Sequence, residues 1–116
     1  MHWRPAADLG LMRQRAALLA GLRQFFAART ILEVETPLLC RSGITDPAIE
    51  PFLVASGDSL QQPRFLQTSP EYAMKRLLAA WCEPIFQISK AFRNGEAGPR
   101  HNPEFSLLEW YRTGFD

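Results

Sequence analysis

Two strand-like segments near the C-terminal end of the sequence constrain its fold more than any other feature. PIFQISKAF covers residues 84 to 92, and a second alternating segment covers residues 104 to 112. The connection between them contains Gly95, Gly98 and two prolines, which are residue types that favour turns. Strand, turn residues and strand in this order predict a long β-hairpin.

Upstream of the hairpin, the sequence begins with a helix pattern and a short strand pattern. An amphipathic helix is predicted over residues 8 to 29, with Asp8 as its N-cap. Its apolar face comprises Leu9, Met12, Leu19, Leu22 and Phe26. TILEVETP, residues 30 to 37, alternates as a strand does, and Pro37 ends it because proline cannot continue the hydrogen-bonded ladder.

The central part of the chain is predicted as a loop, two strands and a second helix. The loop covers residues 40 to 50, and the strands cover residues 51 to 56 and 64 to 68. The helix begins at Ser69-Pro70-Glu71, where Ser69 caps, Pro70 occupies the first turn and Glu71 suits the positive helix end, and it runs to about Cys82. Without β-α-β alternation, these elements predict an α+β fold, an antiparallel sheet with flanking helices.

Composition excludes several classes of protein. The chain has 116 residues, enough for one domain or part of one, and 47% hydrophobic residues favour a folded state. Its net charge of +1 supplies no strong field for nucleic acid or membranes, and no apolar run could span a bilayer. No secretory signal is evident. Cys40 and Cys82 are predicted as free core thiols in a reducing cytoplasm, and no histidine stands at zinc-ligand spacing from them.

Side-chain alternation along the hairpin suggests a binding face. Gln87, Ser89 and Arg93 point one way on the first strand, and Phe105, Leu107, Glu109 and Tyr111 point one way on the second. If both sets face one cleft, Arg93 can fork onto a phosphate and Phe105 can stack on a purine. Glu109 and Tyr111 could hold an ammonium or hydroxyl group. Taken singly, Arg93 also fits a rim arginine, Phe105 a core residue and His101 a surface loop histidine.

The same segment resembles motif 2 of the class II aminoacyl-tRNA synthetases, in particular their lysyl branch. The resemblance is carried by Phe92-Arg93-Asn94 and by residues 100 to 105, RHNPEF. FFAARTILEVETPLL, residues 25 to 39, resembles motif 1, which builds the dimer interface in that family. TSPEYAMKRLL, residues 68 to 78, resembles the segment that supplies amino-acid-binding residues. This implies the catalytic-domain fold of the class.

Finer details resemble the stand-alone paralogues of lysyl-tRNA synthetase that modify elongation factor P. These details are Ser69, Thr45-Asp46 and Glu109-Trp110-Tyr111. That family activates (R)-β-lysine with ATP and transfers it to a lysine side chain of the factor. Motif 1 begins too early to leave room for the anticodon-binding barrel of a synthetase, so tRNA is not the expected partner. Residues 1 to 116 are expected to be the N-terminal part of the catalytic domain, incomplete because motif 3 is absent, and unable to complete adenylation alone.

The resemblance implies a role for each matching position. Arg93 would bind the α-phosphate and steady charge during adenylation, and Phe105 would sandwich adenine. ATP contacts are also implied for Asn94, Gly95, Glu96 and Asn102, with Arg100 and His101 at the outer phosphates. The pocket for lysine or (R)-β-lysine would comprise Ser69, Pro70, Glu71, Glu109 and Tyr111. The family often has glutamate at the position of Gly95, and Glu96 is the candidate to replace it.

Magnesium is expected with ATP, but its ligands are expected outside these residues. A homodimer through the motif 1 region is also expected. Two other interpretations stay open: a fragment of a lysyl-tRNA synthetase, and a non-catalytic synthetase-like fragment that only dimerises. The preference for α- or β-lysine is open as well.

Overall fold

The structure, a computed structural model, describes residues 3–41, 49–55, 63–95 and 102–114. These residues form two helices and two three-stranded sheets. In chain order the elements are α1 (Leu9–Ala28), β1 (Leu32–Glu33), β2 (Leu39–Cys40), β3 (Leu53–Val54), β4 (Arg64–Leu66), α2 (Glu71–Trp81), β5 (Ile85–Phe92) and β6 (Glu104–Tyr111). The α+β prediction is confirmed. No helix within the described ranges is long and apolar enough to cross a membrane.

The predicted hairpin is the longest paired region of the fold. Strands β5 and β6 are antiparallel over their whole length, from the pair Ile85 and Tyr111 to the pair Phe92 and Glu104. Their bounds differ from the predicted ones by a single residue, at one end of each strand. Segments rich in β-branched and aromatic residues, with clusters of turn residues between them, explain this agreement.

Strand β1 corrects the prediction of a wholly antiparallel sheet. It pairs with β5 in parallel, Leu32 opposite Ile85 and Glu33 opposite Phe86, which gives the order β1-β5-β6. The long connection between the two strands, which includes α2, permits a parallel arrangement. Strand β1 is also shorter than the predicted strand of residues 30 to 37. The other three strand pairs are antiparallel, as predicted.

The second sheet contains a strand that the sequence did not predict. Strand β2, Leu39–Cys40, lies where a loop was expected and pairs with β4, and β3 pairs with the other edge of β4. Pro37 does end the first strand pattern, but backbone pairing resumes two residues later. Most of the predicted loop of residues 40 to 50, including Thr45-Asp46, lies outside the described residues.

Helix α1 begins at its predicted cap and packs through its C-terminal end. The Asp8 carboxylate accepts a hydrogen bond from the Leu11 N–H at 2.7 Å. Of the predicted apolar face only Phe26 is buried; Leu9 and Met12 are 63% and 55% exposed. Phe26 stacks on Phe86 with ring centroids 4.3 Å apart. Together with Ile31, Ile88 and Leu108, these two rings form the main apolar cluster.

Helix α2 begins in the way that its sequence predicts, with a boundary shifted by one residue. The Ser69 hydroxyl accepts a hydrogen bond from the Glu71 N–H at 3.3 Å, although Pro70 occupies the cap position. Met74 is fully buried. At the other end Cys82 adopts the left-handed conformation, with φ 53°, and its N–H donates to the Leu78 carbonyl.

Candidate functional site

The two faces of the hairpin have different environments. Helix α1 covers one face, where Phe26 packs on Phe86 and lies 6.0 Å from the Trp110 ring. The opposite face carries the side chains for which the sequence predicted a shared orientation. The register places Gln87 opposite Glu109, Ser89 opposite Leu107, and Ala91 opposite Phe105. We call this second surface, which lies opposite α1, the open face. Its side chains point to one side of the hairpin, as the sequence predicted.

Arg93 and Phe105 are neighbours on the open face. The Arg93 guanidinium carbon lies 5.2 Å from the centroid of the Phe105 ring, within the range of a cation–π contact. Its Nε donates to the Thr68 carbonyl at 3.3 Å. Among the described residues no acceptor engages its two terminal nitrogens. Those nitrogens can therefore form the paired hydrogen bonds with which arginine binds a phosphate.

The backbone beyond Arg93 gives a physical reason for glycine at position 95. The Asn94 N–H donates to the Glu50 carbonyl at 2.8 Å, which fixes the entry to the hairpin connection. Gly95 then has φ +82°, a left-handed conformation that side chains rarely adopt. A Cβ there would lie 3.4 Å from Glu50 Oε2. The backbone at this point therefore favours glycine over glutamate.

Four charged or polar side chains lie together where α2 begins and β6 ends. They are Glu71, Lys75, Glu109 and Tyr111, which we call the carboxylate cluster. The Tyr111 hydroxyl donates to Glu109 Oε2 at 2.9 Å, and the Lys75 ammonium pairs with Glu71 Oε1 at 2.7 Å. Of the four, Lys75 was not predicted as a site residue. Its only signal in the sequence is the i,i+4 spacing from Glu71.

Burial and the nearby carboxylates disfavour ionisation of the Tyr111 phenol. Burial, the hydrogen bond to Glu109 and the negative charges of Glu109 and Glu71 hold the pKa of Tyr111 well above its usual range. Its O–H therefore remains a hydrogen-bond donor at neutral pH. The influence of Glu71 on Tyr111 links α2 to β6 in space. This arrangement concentrates negative charge that would attract an ammonium group.

A cleft of about 680 Å³ adjoins the carboxylate cluster. Its wall includes Thr36, Cys40, Thr68, Ser69, Glu71 and Tyr72. Of the predicted site residues, Ser69 and Glu71 line the cleft, whereas Arg93 and Phe105 do not. Pro70, also a predicted site residue, is fully buried and shapes the turn into α2.

Of the remaining predicted site residues, one lies among the described residues and three lie outside them. Asn102 is exposed just before β6. Glu96, Arg100 and His101 lie outside the described residues. Cys40 and Cys82 are free thiols, as predicted, but neither is a core residue, since Cys82 is exposed and Cys40 only partly buried. Burial raises the pKa of Cys40. Within the described ranges no group of three or more histidine, cysteine or acidic side chains could hold a metal ion.

Two polar residues that contribute to the site geometry escaped the sequence analysis. Gln67 and Thr68 precede the Ser69-Pro70-Glu71 turn, and each is only 5% exposed. They were predicted as the last two residues of the strand at 64 to 68. Their burial depends on the second sheet packing beside β5, which no local pattern in the sequence encodes.

Comparison with known proteins identifies the family. The family described as tRNA synthetases class II (D, K and N) matches residues 2–115. The chain therefore belongs to the class II tRNA synthetases. Among its relatives, elongation factor P–(R)-β-lysine ligases from Pseudoalteromonas translucida and Haemophilus influenzae are 53% and 54% identical over 98% of the chain. The chain spans about a third, 36%, of the length of these relatives.

Proposed function

We propose that the protein carrying this chain activates (R)-β-lysine, or lysine, with ATP and transfers it to a lysine side chain of elongation factor P. The observation that carries the proposal is the position of Arg93 beside Phe105, on the hairpin that also contributes Glu109 and Tyr111. One substrate with a phosphate and a purine, and a second with ammonium groups, would both find complementary partners there. The names of the similar ligases support the choice of substrates.

The first proposed step forms an adenylate. The carboxylate of the amino substrate attacks the α-phosphorus of ATP, an oxygen–phosphorus bond forms, and pyrophosphate leaves. Arg93 offers two terminal N–H groups to the α-phosphate, and this charge-assisted pair stabilises the negative charge that develops in the transition state. Phe105 holds the purine, and Asn94, Gly95, Glu96 and Asn102 contribute to the same ATP site.

In this proposal the outer phosphates of ATP bind at the tip of the hairpin. Arg100 and His101 would neutralise part of their charge. Magnesium, when bound with the nucleotide, supplies further neutralisation, and the described residues offer no ligand cluster for it. No step of the proposed reaction is assigned to the metal.

The carboxylate cluster orients the amino substrate. Glu71 and Glu109 attract its ammonium groups, Tyr111 supplies a neutral donor, and the Ser69 hydroxyl at the start of α2 lines the adjoining wall. Lys75 pairs with Glu71 through a half-exposed ion pair, a kind of interaction that contributes little to stability. A substrate ammonium can therefore displace Lys75 at little cost.

The second proposed step transfers the activated group. An unprotonated lysine amine of elongation factor P attacks the carbonyl carbon of the mixed anhydride, and an amide bond forms. AMP leaves with the bonding electron pair, and the nitrogen releases one proton to solvent. The protein accelerates both steps by positioning the reactants and by neutralising charge.

A transfer assay with competing acceptors tests the proposal. The complete protein that carries this chain is incubated with ATP, labelled (R)-β-lysine or lysine, and either elongation factor P or tRNA. Label is expected on elongation factor P, with release of AMP, and elongation factor P with its acceptor lysine replaced by arginine serves as control. Label on tRNA instead would establish the lysyl-tRNA synthetase alternative, and label on neither acceptor would contradict the proposal.

We further propose that the chain self-associates through residues 8 to 39. Helix α1 exposes Leu11, Leu18 and Phe25, which are 57%, 61% and 48% accessible. Sedimentation equilibrium is expected to show a dimer, and Leu18→Glu is expected to weaken it at least tenfold, because burying an unpaired charge in an interface is costly. Leu53→Glu, which changes a leucine that is 64% exposed and lies outside residues 8 to 39, is the matched control. A monomer at high concentration would contradict the proposal.

A further inference from the structure

Gln67 is a buried polar residue whose hydrogen bonds join separate parts of the fold. It lies directly after β4 and is only 5% exposed. Its backbone N–H donates to the Leu38 carbonyl, and its own carbonyl accepts from the Phe92 N–H, both at 2.9 Å. Its side-chain amide donates to the Lys90 carbonyl at 2.7 Å and to the Ser89 hydroxyl at 3.4 Å. The backbone carbonyl and the side-chain amide of Gln67 therefore both form hydrogen bonds with β5.

The residue after Gln67 holds the guanidinium of Arg93. The Thr68 carbonyl accepts from Arg93 Nε at 3.3 Å, and Thr68 is itself only 5% exposed. A guanidinium bound through Nε is restricted in rotation, so this hydrogen bond limits the directions in which its terminal nitrogens can point. The direction of the Thr68 carbonyl depends on the peptide that precedes it, which the hydrogen bonds of Gln67 fix.

We propose that Gln67 is a positioning residue for the nucleotide: by fixing the Thr68 carbonyl, it orients Arg93 so that both terminal nitrogens meet the α-phosphate. This inference rests on the proposed role of Arg93 in binding ATP. The same residue immediately precedes the Ser69-Pro70-Glu71 turn, so it also keeps the phosphate-binding arginine at a fixed distance from the start of α2.

A purely structural role is the competing explanation, and Gln87 provides a matched control for it. Gln87 is 2% exposed, and its side chain also makes two hydrogen bonds, both to Thr36: its Oε1 accepts from the backbone N–H at 3.1 Å and its Nε2 donates to the hydroxyl at 2.8 Å. Neither bond touches the segment that holds Arg93. Loss of either glutamine leaves buried polar groups unpaired and lowers stability to a similar extent.

The first test compares Gln67→Met with Gln87→Met in the complete protein. Gln67→Met is expected to raise the KM for ATP in ATP–pyrophosphate exchange about tenfold, within the range expected when a binding group is misplaced by about 1 Å. Gln87→Met is expected to lower the melting temperature as much but to raise the KM for ATP clearly less, because its hydrogen bonds do not reach the segment that holds Arg93. Equal KM values for the two variants would overturn the inference. Gln67→Asn, which keeps the amide but shortens its reach, makes the same comparison should the methionine variant not fold.

The second test removes the link itself. Arg93→Lys keeps the positive charge but lacks the Nε that bonds to the Thr68 carbonyl. If Gln67 acts through Arg93, adding Gln67→Met to Arg93→Lys raises the KM for ATP no further. Additive effects would show a structural role and overturn the inference alone. An unchanged KM in Arg93→Lys itself would instead contradict the proposed function on which the inference rests.

Discussion

Replacing Arg93 by methionine in the complete protein is expected to lower kcat/KM for adenylation about a thousandfold, the scale on which the loss of a preorganised charge-stabilising donor acts. Methionine keeps much of the side-chain length but removes the charge and every donor. The loss is expected in both parameters, because Arg93 contacts the α-phosphate of bound ATP and also stabilises the additional charge that this phosphate acquires in the transition state. ATP–pyrophosphate exchange at saturating and subsaturating ATP separates the two parameters.

Arg23→Met is the matched control for this prediction. Arg23 donates to Glu33 Oε1 at 3.0 Å on a surface where both side chains are well exposed. Its removal is expected to change stability by less than about 1 kcal/mol and adenylation by less than about twofold. A kcat/KM within tenfold of the original in Arg93→Met would show that the hairpin arginine is not the phosphate-binding group.

Phe26→Ala is expected to lower the free energy of unfolding of the chain by about 3–5 kcal/mol. The Phe26 ring is buried, stacks on Phe86 at 4.3 Å with an interplanar angle of 14°, and fastens α1 to the hairpin. Truncation removes that contact and leaves a cavity between helix and sheet. Urea denaturation followed by circular dichroism measures the difference.

Phe25→Ala provides the comparison at the neighbouring position. The Phe25 ring is 48% exposed and lies beneath the Arg29 guanidinium at 3.5 Å on the helix surface. Its removal is expected to cost about 1 kcal/mol or less. Equal losses in the two variants would mean that α1 does not pack on the hairpin through Phe26.

The hairpin and the division of its side chains between two faces could be predicted from the sequence, because both depend on local information. Alternation between residues 84 and 92 determines which side chains share a face, and the glycines and prolines that follow mark the turn. The proximity of Arg93 and Phe105 follows from that parity. The start of α2 at Ser69-Pro70-Glu71 was equally local, since the capping hydrogen bond spans only two residues.

The features that escaped prediction depend on which distant segments pair. Nothing near residues 32 and 33 specifies that β1 lies parallel to β5, and nothing near residues 39 and 40 specifies a partner in β4. Burial of Gln67 follows from the same long-range arrangement. Of the predicted apolar stripe of α1 only Phe26 is buried, because the periodicity does not indicate how far along the helix the sheet extends.

Locating a bound nucleotide tests the central claim most directly. We expect a crystal structure of the complete protein with a non-hydrolysable ATP analogue to place the α-phosphate about 3 Å from the terminal nitrogens of Arg93. The purine is expected against the ring of Phe105. A purine in the cleft beside Tyr72, with Arg93 touching no phosphate, would contradict the account.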